Sequence, residues 1–253
     1  MNTVVAEAAT ETKSNLQNFL RMSLSYTVEG DKMKLFFQAI TKFTTGVILT
    51  FLLLFLPAGT FSYTNGWILI CTLFVPMFIA GIVMLIKNPD LLRRRLSAKE
   101  KQKEQGVILK LSAIMFVAGF IIAGLDFRYD WSHVPKSVVI TSLVIFLIAY
   151  LLYAEVMREN TYLSRTVEVQ ENQVVIDTGL YSIVRHPMYT STLLLFLTMP
   201  IILGSWWSFA VFLPYPFIIA KRIRHEEEYL EKELVGYTEY KQKVRYKLIP
   251  FLW

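Results

Sequence analysis

Two short polar stretches carry the side chains best suited to bind an ionic ligand, and each adjoins an apolar run. The first, GLYSIVRHPMY (179–189), places Arg185, His186 and Pro187 directly before an apolar segment. Pro187 fits the first turn of a helix and drives His186 toward an extended conformation. Such a helix presents free backbone N–H groups and its positive dipole end beside Arg185 and His186, which suits a carboxylate or phosphate. An ordinary interfacial helix start that contacts lipid headgroups would show the same spacing.

The second stretch, RIRHEEEYLEKEL (222–234), concentrates both signs of charge, as a site for a zwitterionic ligand would. Arg222 and Glu226 are four residues apart and share one face of a helix. A surface ion pair is the simpler interpretation, and such pairs contribute little to stability. Tyr237 and Tyr240 follow a glycine and are interpreted first as packing residues, although aromatic faces also hold cations such as a sulfonium.

Composition indicates that both stretches belong to a membrane protein. Of the 253 residues, 54% are hydrophobic and 18% are charged, whereas about a quarter are charged in soluble proteins. The net charge is +6, and the clusters of basic residues lie beside apolar runs. This placement favours membrane lipids over nucleic acid as partners. The single cysteine excludes an internal disulfide and a cysteine-based metal cluster. His133 is expected on the opposite side of the membrane from the other two histidines, so we expect no metal site.

Six apolar runs lead to the prediction of an all-α, polytopic membrane bundle of about six segments with a C-terminal cytoplasmic helix. The runs are 43–58, 66–86, 107–125, 138–156, 188–203 and 207–220. The last two are shorter than the roughly 20 residues of a full span, so we expect them to thin the bilayer or to stop short of its far side. The polar segment 160–186 alternates weakly at 166–169 and 173–176, which predicts a small hairpin or an extended loop.

Three parts follow from this pattern. Residues 1–38 are expected to be a cytoplasmic or interfacial segment, with an amphipathic helix near 16–24 and no secretory signal peptide. Residues 39–157 are expected to hold the N-terminal transmembrane helices. Residues 158–253 are expected to form the ligand-binding region with a helical hairpin and a C-terminal helix. Lys and Arg collect in the loop after the second run, so the positive-inside rule predicts that both termini and both polar stretches face the cytoplasm at the cell membrane.

Several common catalytic motifs are absent from the sequence. It contains no Walker loop and no GxGxxG, which excludes P-loop and soluble dinucleotide-binding folds. It contains no HExxH and no GxSxG, which argues against a zinc protease or an α/β-hydrolase.

The order of motifs resembles the isoprenylcysteine carboxyl methyltransferase family, whose members are polytopic membrane enzymes that use S-adenosyl-L-methionine. The resemblance covers roughly residues 160–253 and rests on GLYSIVRHPMY, RIRHEEEYL and GYTEYKQKVRYKLIP. Upstream, NPDLLRRR, GLDFRYDWSHVP and ENTYLSR are similar to the longer bacterial and archaeal members. The chain departs from the family's pattern at Leu180, which is often proline, and at Ser191, which is usually glycine.

The resemblance implies that the two polar stretches enclose S-adenosyl-L-methionine. It assigns Arg222 to the carboxylate of the substrate, as the catalytic residue, and Glu226 to the cofactor. The other implied cofactor contacts are Gln173, Val174, Val175, Ile176, Tyr181, His186, Pro187, Met188 and Tyr189. For residues 173–176 the assignment rests on position more than on identity.

The predicted function is therefore methyl transfer from S-adenosyl-L-methionine to a lipid-like acceptor, first of all the carboxylate of an isoprenylcysteine-type substrate. A carboxylate is already ionised at neutral pH, so the protein supplies mainly proximity and alignment. Phospholipid or other N-methylation comes second, and an amine acceptor would call for a base such as Glu226, Glu227 or His225. An NADPH-dependent membrane sterol-type reductase and a non-catalytic membrane scaffold are also compatible with the sequence.

Overall fold

The computed structural model describes the backbone of residues 2–97, 103–164 and 166–253, and the side chains of these ranges from residue 30 onward except 103–105. The helices are α1 (Asn2–Ala58), α2 (Thr64–Lys87), α3 (Pro89–Leu96), α4 (Lys103–Tyr129), α5 (Lys136–Glu159), α6 (Pro187–Ile202), α7 (Trp206–Phe212), α8 (Tyr215–Glu233) and α9 (Tyr237–Lys243). The described residues contain no β-strand, and the predicted helical membrane bundle is confirmed. The amphipathic character expected near 16–24 concerns side chains outside the described set.

Within the described part of the chain, four helices are long and apolar enough to cross a membrane, namely α2, α5, and the segments Gly30–Ala58 and Gly106–Tyr129 of α1 and α4. Helix α6 is apolar but has 16 residues, which at about 1.5 Å per residue gives roughly 24 Å, less than a hydrocarbon core of about 30 Å. The sixth expected segment is interrupted at Leu213 and Pro214, where α7 ends and α8 begins. Pro214 cannot donate the backbone hydrogen bond that would continue α7. The bundle therefore has four long helices and one short hairpin.

The hairpin of α6 and α7 nevertheless extends to the end of the bundle opposite the polar segment. At its turn, the carbonyl of Leu203 accepts a hydrogen bond of 2.6 Å from the hydroxyl of Tyr63, in the linker between α1 and α2. The hydroxyl of Ser205 donates to buried Asp126 at the end of α4. Asp126 also accepts from the backbone N–H of Ser132 at 2.8 Å and from its hydroxyl at 2.6 Å. These bonds fix the turn of the hairpin against the linkers between the long helices.

Close packing fixes the hairpin laterally as well. A Cβ atom at Gly119 of α4 would lie 2.3 Å from the ring of Phe212, so the two helices approach closely only because this residue is glycine. The carbonyl of Gly119 also accepts a hydrogen bond of 2.9 Å from Ser208 of α7. Phe212, Ile202 of α6 and Ile223 of α8 are fully buried in one core cluster with the long helices. The bundle thus holds α6 and α8 as a fixed pair.

The polar segment between α5 and α6 is an extended loop, since residues 160–164 and 166–178 contain no strand. Of the two structures expected there, the extended loop is the correct one. The loop, the start of α6 and the charged part of α8 all lie at the same end of the bundle, because they line one cleft.

Candidate active site

The turn that leads into the site is fixed by the last residue of α5. The carboxylate of Glu159 accepts hydrogen bonds from the hydroxyl of Thr178 at 2.8 Å and from the backbone N–H of Leu180 at 3.1 Å. Gly179, between them, has a φ of +48°, and a Cβ there would lie 2.3 Å from the carboxylate oxygens. Both the backbone conformation and the lack of space require glycine at this position.

The residues before α6 are hydrogen-bonded to the C-terminal tail, residues 244–253, which follows α9. Helix α6 begins at Pro187, and His186 before it has an extended φ of −126°, as the proline predicts. The backbone N–H groups of Arg185 and His186 donate to the carbonyls of Tyr246 and Lys247, both at 2.9 Å. These two N–H groups are therefore used within the fold and are not available to an anionic ligand.

Glu227 of α8 is the centre of a buried ionic network. Its Oε1 lies 2.7 Å from Arg185 Nε and 3.1 Å from His186 Nε2, and its Oε2 lies 3.0 Å from Lys247 Nζ. Burial by itself would raise the pKa of Glu227, but hydrogen bonds from His186, Arg185 and Lys247 outweigh it and hold the pKa well below its usual value. Arg185 also donates to two backbone carbonyls of the tail, at 2.7 and 2.8 Å. Arg185 and Glu227 therefore join the loop, α8 and the tail.

Arg222 and Glu226 meet at a tyrosine of the neighbouring helix. Arg222 Nε donates to the hydroxyl of Tyr189 at 2.8 Å, and this hydroxyl donates to the carboxylate of Glu226. The guanidinium carbon lies 5.8 Å from the centroid of the Tyr189 ring. Arg222 and Tyr189 are buried, so the structure does not show the solvent-exposed ion pair considered from the spacing. The two residues share one face of α8, as expected.

One cleft gathers ten of the eleven site residues expected from the sequence. Pro187 is the exception, because it is buried as the first residue of α6. The ten that line the cleft are Gln173, Val174, Val175, Ile176, Tyr181, His186, Met188, Tyr189, Arg222 and Glu226. Residues that are distant in the chain and belong to the loop, α6 and α8 therefore face a common space.

The cleft also has walls that the sequence prediction did not include. One is formed by residues 160, 162–164 and 166–168, and another by Leu230 of α8 and by Leu234, which directly follows that helix. The sequence contained a signal for the second of these walls, because Leu230 and Leu234 continue the four-residue spacing that begins at Arg222 and Glu226. The motif ENTYLSR marked the first wall without assigning a role to its residues.

The arginine-rich helix α3 holds the backbone of the loop that forms the first of these walls. Arg94 donates to the carbonyl of Thr161 at 2.6 Å. Arg95 donates to the carbonyl of Ser164 at 3.3 Å, hydrogen-bonds Tyr153, and contacts the sulfur of Met188 at 3.9 Å. Two arginines of this basic stretch therefore position the wall of the cleft.

The three candidate bases differ in position. Glu226 lines the cleft, whereas Glu227 is held in the buried network. His225 does not line the cleft, and its Nδ1 lies 3.9 Å from Glu228. Glu227 and His225 are therefore not placed to take a proton from a molecule in the cleft.

Two tyrosines of α9 complete the site. The hydroxyl of Tyr240 donates to the carbonyl of Tyr181 at 2.7 Å, and the hydroxyl of Tyr181 accepts from Asn160 at 2.9 Å. Tyr237 also lines the cleft. Its hydroxyl is buried and has no hydrogen-bond partner within the described part of the chain.

The fold and the cleft together define a polytopic helical membrane protein with a cleft lined by charged and apolar side chains at one end of the bundle. The phospholipid methyltransferase family matches residues 137–235. This range covers less than half of the chain but includes α5, the polar loop and α6 to α8, and thus both polar stretches. The match supports a membrane methyltransferase that acts on lipid-like substrates, and the matched family is part of a group of integral membrane enzymes that includes the isoprenylcysteine enzymes. No curated protein matches the chain.

Proposed function

We propose that this chain transfers a methyl group from S-adenosyl-L-methionine to a lipid-like acceptor that enters from the membrane. The observation that carries the proposal is the hydrogen-bonded line of Arg222, Tyr189 and Glu226 on the wall of the cleft. It places a cation and an anion side by side within the range matched by a methyltransferase family.

The side chains of the cleft fit this cofactor. The carboxylate of Glu226 complements an ammonium group, and the faces of Tyr181 and Tyr189 suit a sulfonium. Leu230 and Leu234 offer an apolar wall for the purine ring of the cofactor. A mostly apolar cleft with a few convergent polar groups is typical of cofactor sites. When bound, S-adenosyl-L-methionine supplies an electrophilic methyl group.

For the acceptor, we propose first the carboxylate of an isoprenylcysteine-type substrate, because Arg222 is a buried cation on the cleft wall. A guanidinium binds a carboxylate through paired, charge-assisted hydrogen bonds. An ionised carboxylate needs no general base, so the task of Arg222 and Tyr189 is to hold the acceptor oxygen in line with the methyl group.

The second candidate acceptor is the amine of a phospholipid, which the description of the matched family favours. An amine must lose a proton, and Glu226 is the one of the three candidate bases that lines the cleft. The NADPH-dependent reductase draws no support from the family match.

We also propose that the cleft faces the cytoplasm at the cell membrane. Lys87 and Arg93–Arg95 lie at the end of the bundle that carries the cleft, since α3 contacts its wall. Positive residues of this kind collect on the cytoplasmic side of membrane proteins.

Labelled methyl transfer tests the function and separates the two acceptors. Purified protein in lipid nanodiscs made from total membrane lipid is incubated with methyl-labelled S-adenosylmethionine. A methyl ester releases labelled methanol in alkali, whereas an N-methyl group stays on the lipid. We expect labelled lipid, with a loss of about a hundredfold in Arg222→Ala and Glu226→Gln.

Glu228→Gln is the matched control, because this neighbouring glutamate has 60% of its side chain exposed and does not line the cleft. It should label lipid at the rate of the unmodified protein. If the unmodified protein neither labels lipid nor binds S-adenosylhomocysteine in a calorimeter, the proposed function is wrong.

A further inference from the structure

Tyr237 and Tyr240 form a natural comparison, because both are buried, lie on α9 and line the cleft. Their hydroxyl groups differ. Tyr240 donates a hydrogen bond of 2.7 Å to the carbonyl of Tyr181, whereas the hydroxyl of Tyr237 has no partner among the described residues. Buried polar groups are almost always hydrogen-bonded in folded proteins, so an unpaired hydroxyl at a binding cleft calls for a partner from outside the chain.

The surroundings of Tyr237 define what such a partner would be like. Tyr237 packs in an apolar cluster with Leu234 and Tyr240, against Val175 and Leu230. Five members of this cluster line the cleft and form its apolar part, namely Val175, Leu230, Leu234, Tyr237 and Tyr240. A flat, uncharged ring is the kind of group that such walls accommodate.

The hydroxyl of Tyr237 keeps its proton and can therefore donate a hydrogen bond. Burial, and to a smaller extent the carboxylates of Glu227 and Glu226, raise the pKa of Tyr237 above its usual value, so the group stays protonated. The carboxylate of Glu226 already accepts from Tyr189, and that of Glu227 is bonded to three basic side chains. The hydroxyl of Tyr237 is therefore a donor that finds no acceptor among the described residues.

We propose that Tyr237 donates a hydrogen bond to a ring nitrogen of the purine base of the bound cofactor and thereby selects an adenosyl ligand. This inference rests on the proposed function. A donor that is buried without a partner discriminates against any ligand that cannot supply an acceptor at that point. Tyr237 is thus a specificity-determining contact at the apolar, nucleoside end of the cleft, whereas Arg222 and Glu226 form its charged part.

Access to the hydroxyl requires a small shift, because it is shielded from solvent in this structure. Val175 packs against the Tyr237 cluster and belongs to the extended loop, outside any helix. Side-chain changes and loop shifts of this size commonly accompany binding. The base would take the place of apolar side chains of this loop next to Tyr237.

Calorimetric binding of S-adenosylhomocysteine to the unmodified protein, Tyr237→Phe and Tyr240→Phe tests the inference. We expect Tyr237→Phe to bind about tenfold more weakly, the value of one hydrogen bond. Its thermal unfolding midpoint without ligand should not fall, because no hydrogen bond within the chain is lost. Tyr240→Phe should lower the midpoint, since it removes the bond to Tyr181.

The 1-deaza, 3-deaza and 7-deaza analogues of S-adenosylhomocysteine, each without one ring acceptor, identify the atom. One analogue should bind the unmodified protein and Tyr237→Phe equally well, while the others keep the tenfold difference. Equal affinity of both proteins for S-adenosylhomocysteine would show that water satisfies the hydroxyl, and a tenfold difference with all three analogues would exclude a ring nitrogen; either result overturns the inference. If the unmodified protein binds no S-adenosylhomocysteine and labels no lipid, the proposed function fails as well, so the two failures are distinct.

Discussion

Arg185 Nε lies 2.7 Å from Oε1 of Glu227, and both side chains are 4% exposed. The pair connects the loop before α6 to α8, and the further bonds of Arg185 connect both to the tail. Neither charge can be solvated by water, so each depends on its partner within the fold. Pro187 and Tyr189 lie two and four residues after Arg185, so the position of the cleft wall depends on this ion pair.

Replacing Glu227 with glutamine should therefore destabilise the protein strongly. The change leaves Arg185 and Lys247 buried or half-buried without a counter-charge, and breaking a buried pair costs about 3–5 kcal/mol. We expect a large fall in the thermal unfolding midpoint in detergent. Glu228→Gln, on the exposed side of the same helix, should change stability by less than about 0.5 kcal/mol. Equal midpoints for the two variants would contradict the structural role of Glu227.

The same carboxylate gives the protein an acid limit of stability. The pKa of Glu227 is lower in the folded protein than its usual value of 4.5. Its contribution is therefore present in full above the unfolded pKa and is lost as the pH falls from there through the lowered folded pKa. The unfolding midpoint of the unmodified protein should exceed that of Glu227→Gln by a constant amount between pH 7 and about 5. The gap should narrow below pH 4.5, and a gap that is unchanged down to pH 3 would refute this assignment.

Tyr189→Phe should impair methyl transfer while it leaves the fold intact. The variant keeps the ring but removes the hydroxyl that bridges Arg222 and Glu226. Arg222 and Glu226 then lose the hydroxyl that holds them in position on the cleft wall, and since a misplacement of about 1 Å can cost about a hundredfold in rate, the rate should fall at least tenfold. Tyr246→Phe is a suitable control, because Tyr246 is half-buried in the tail and does not line the cleft. A Tyr189→Phe protein with full activity would exclude the bridge from the reaction.

Gly179→Ala should disturb the turn before the site through one identifiable clash. The positive φ costs alanine about 1–2 kcal/mol, and the new Cβ would also meet the Glu159 carboxylate at 2.3 Å. In a Glu159→Ala background the second cost disappears, so a double-mutant cycle should show coupling of about 0.5–3 kcal/mol. Gly81→Ala, where a Cβ meets nothing within 4 Å, should not destabilise the protein. Additive effects at 159 and 179 would show that the clash is relieved in another way.

Much of the architecture could be predicted because its causes are local in the chain. Apolar runs determine membrane helices, Pro187 sets the start of α6, and the spacing of Arg222 and Glu226 places them on one face. The interruption of the last run at Pro214 was also visible in the sequence, but composition alone treated that run as one segment. How far the hairpin extends was not visible, because it depends on contacts of Leu203 with the linker between α1 and α2 and of Ser205 with α4.

The three consecutive glutamates of α8 show where the sequence stops and the tertiary structure decides. The sequence identifies Glu226, Glu227 and Glu228 as equal acids on a helix next to an apolar run. In the folded protein Glu226 lines the cleft, Glu227 binds Arg185, His186 and Lys247, and Glu228 is exposed. Successive side chains on a helix point about 100° apart. Which direction meets the ligand, the core or water depends on elements that lie about 20 to 40 residues away in the chain, and only their packing assigns three chemically identical groups to three different tasks.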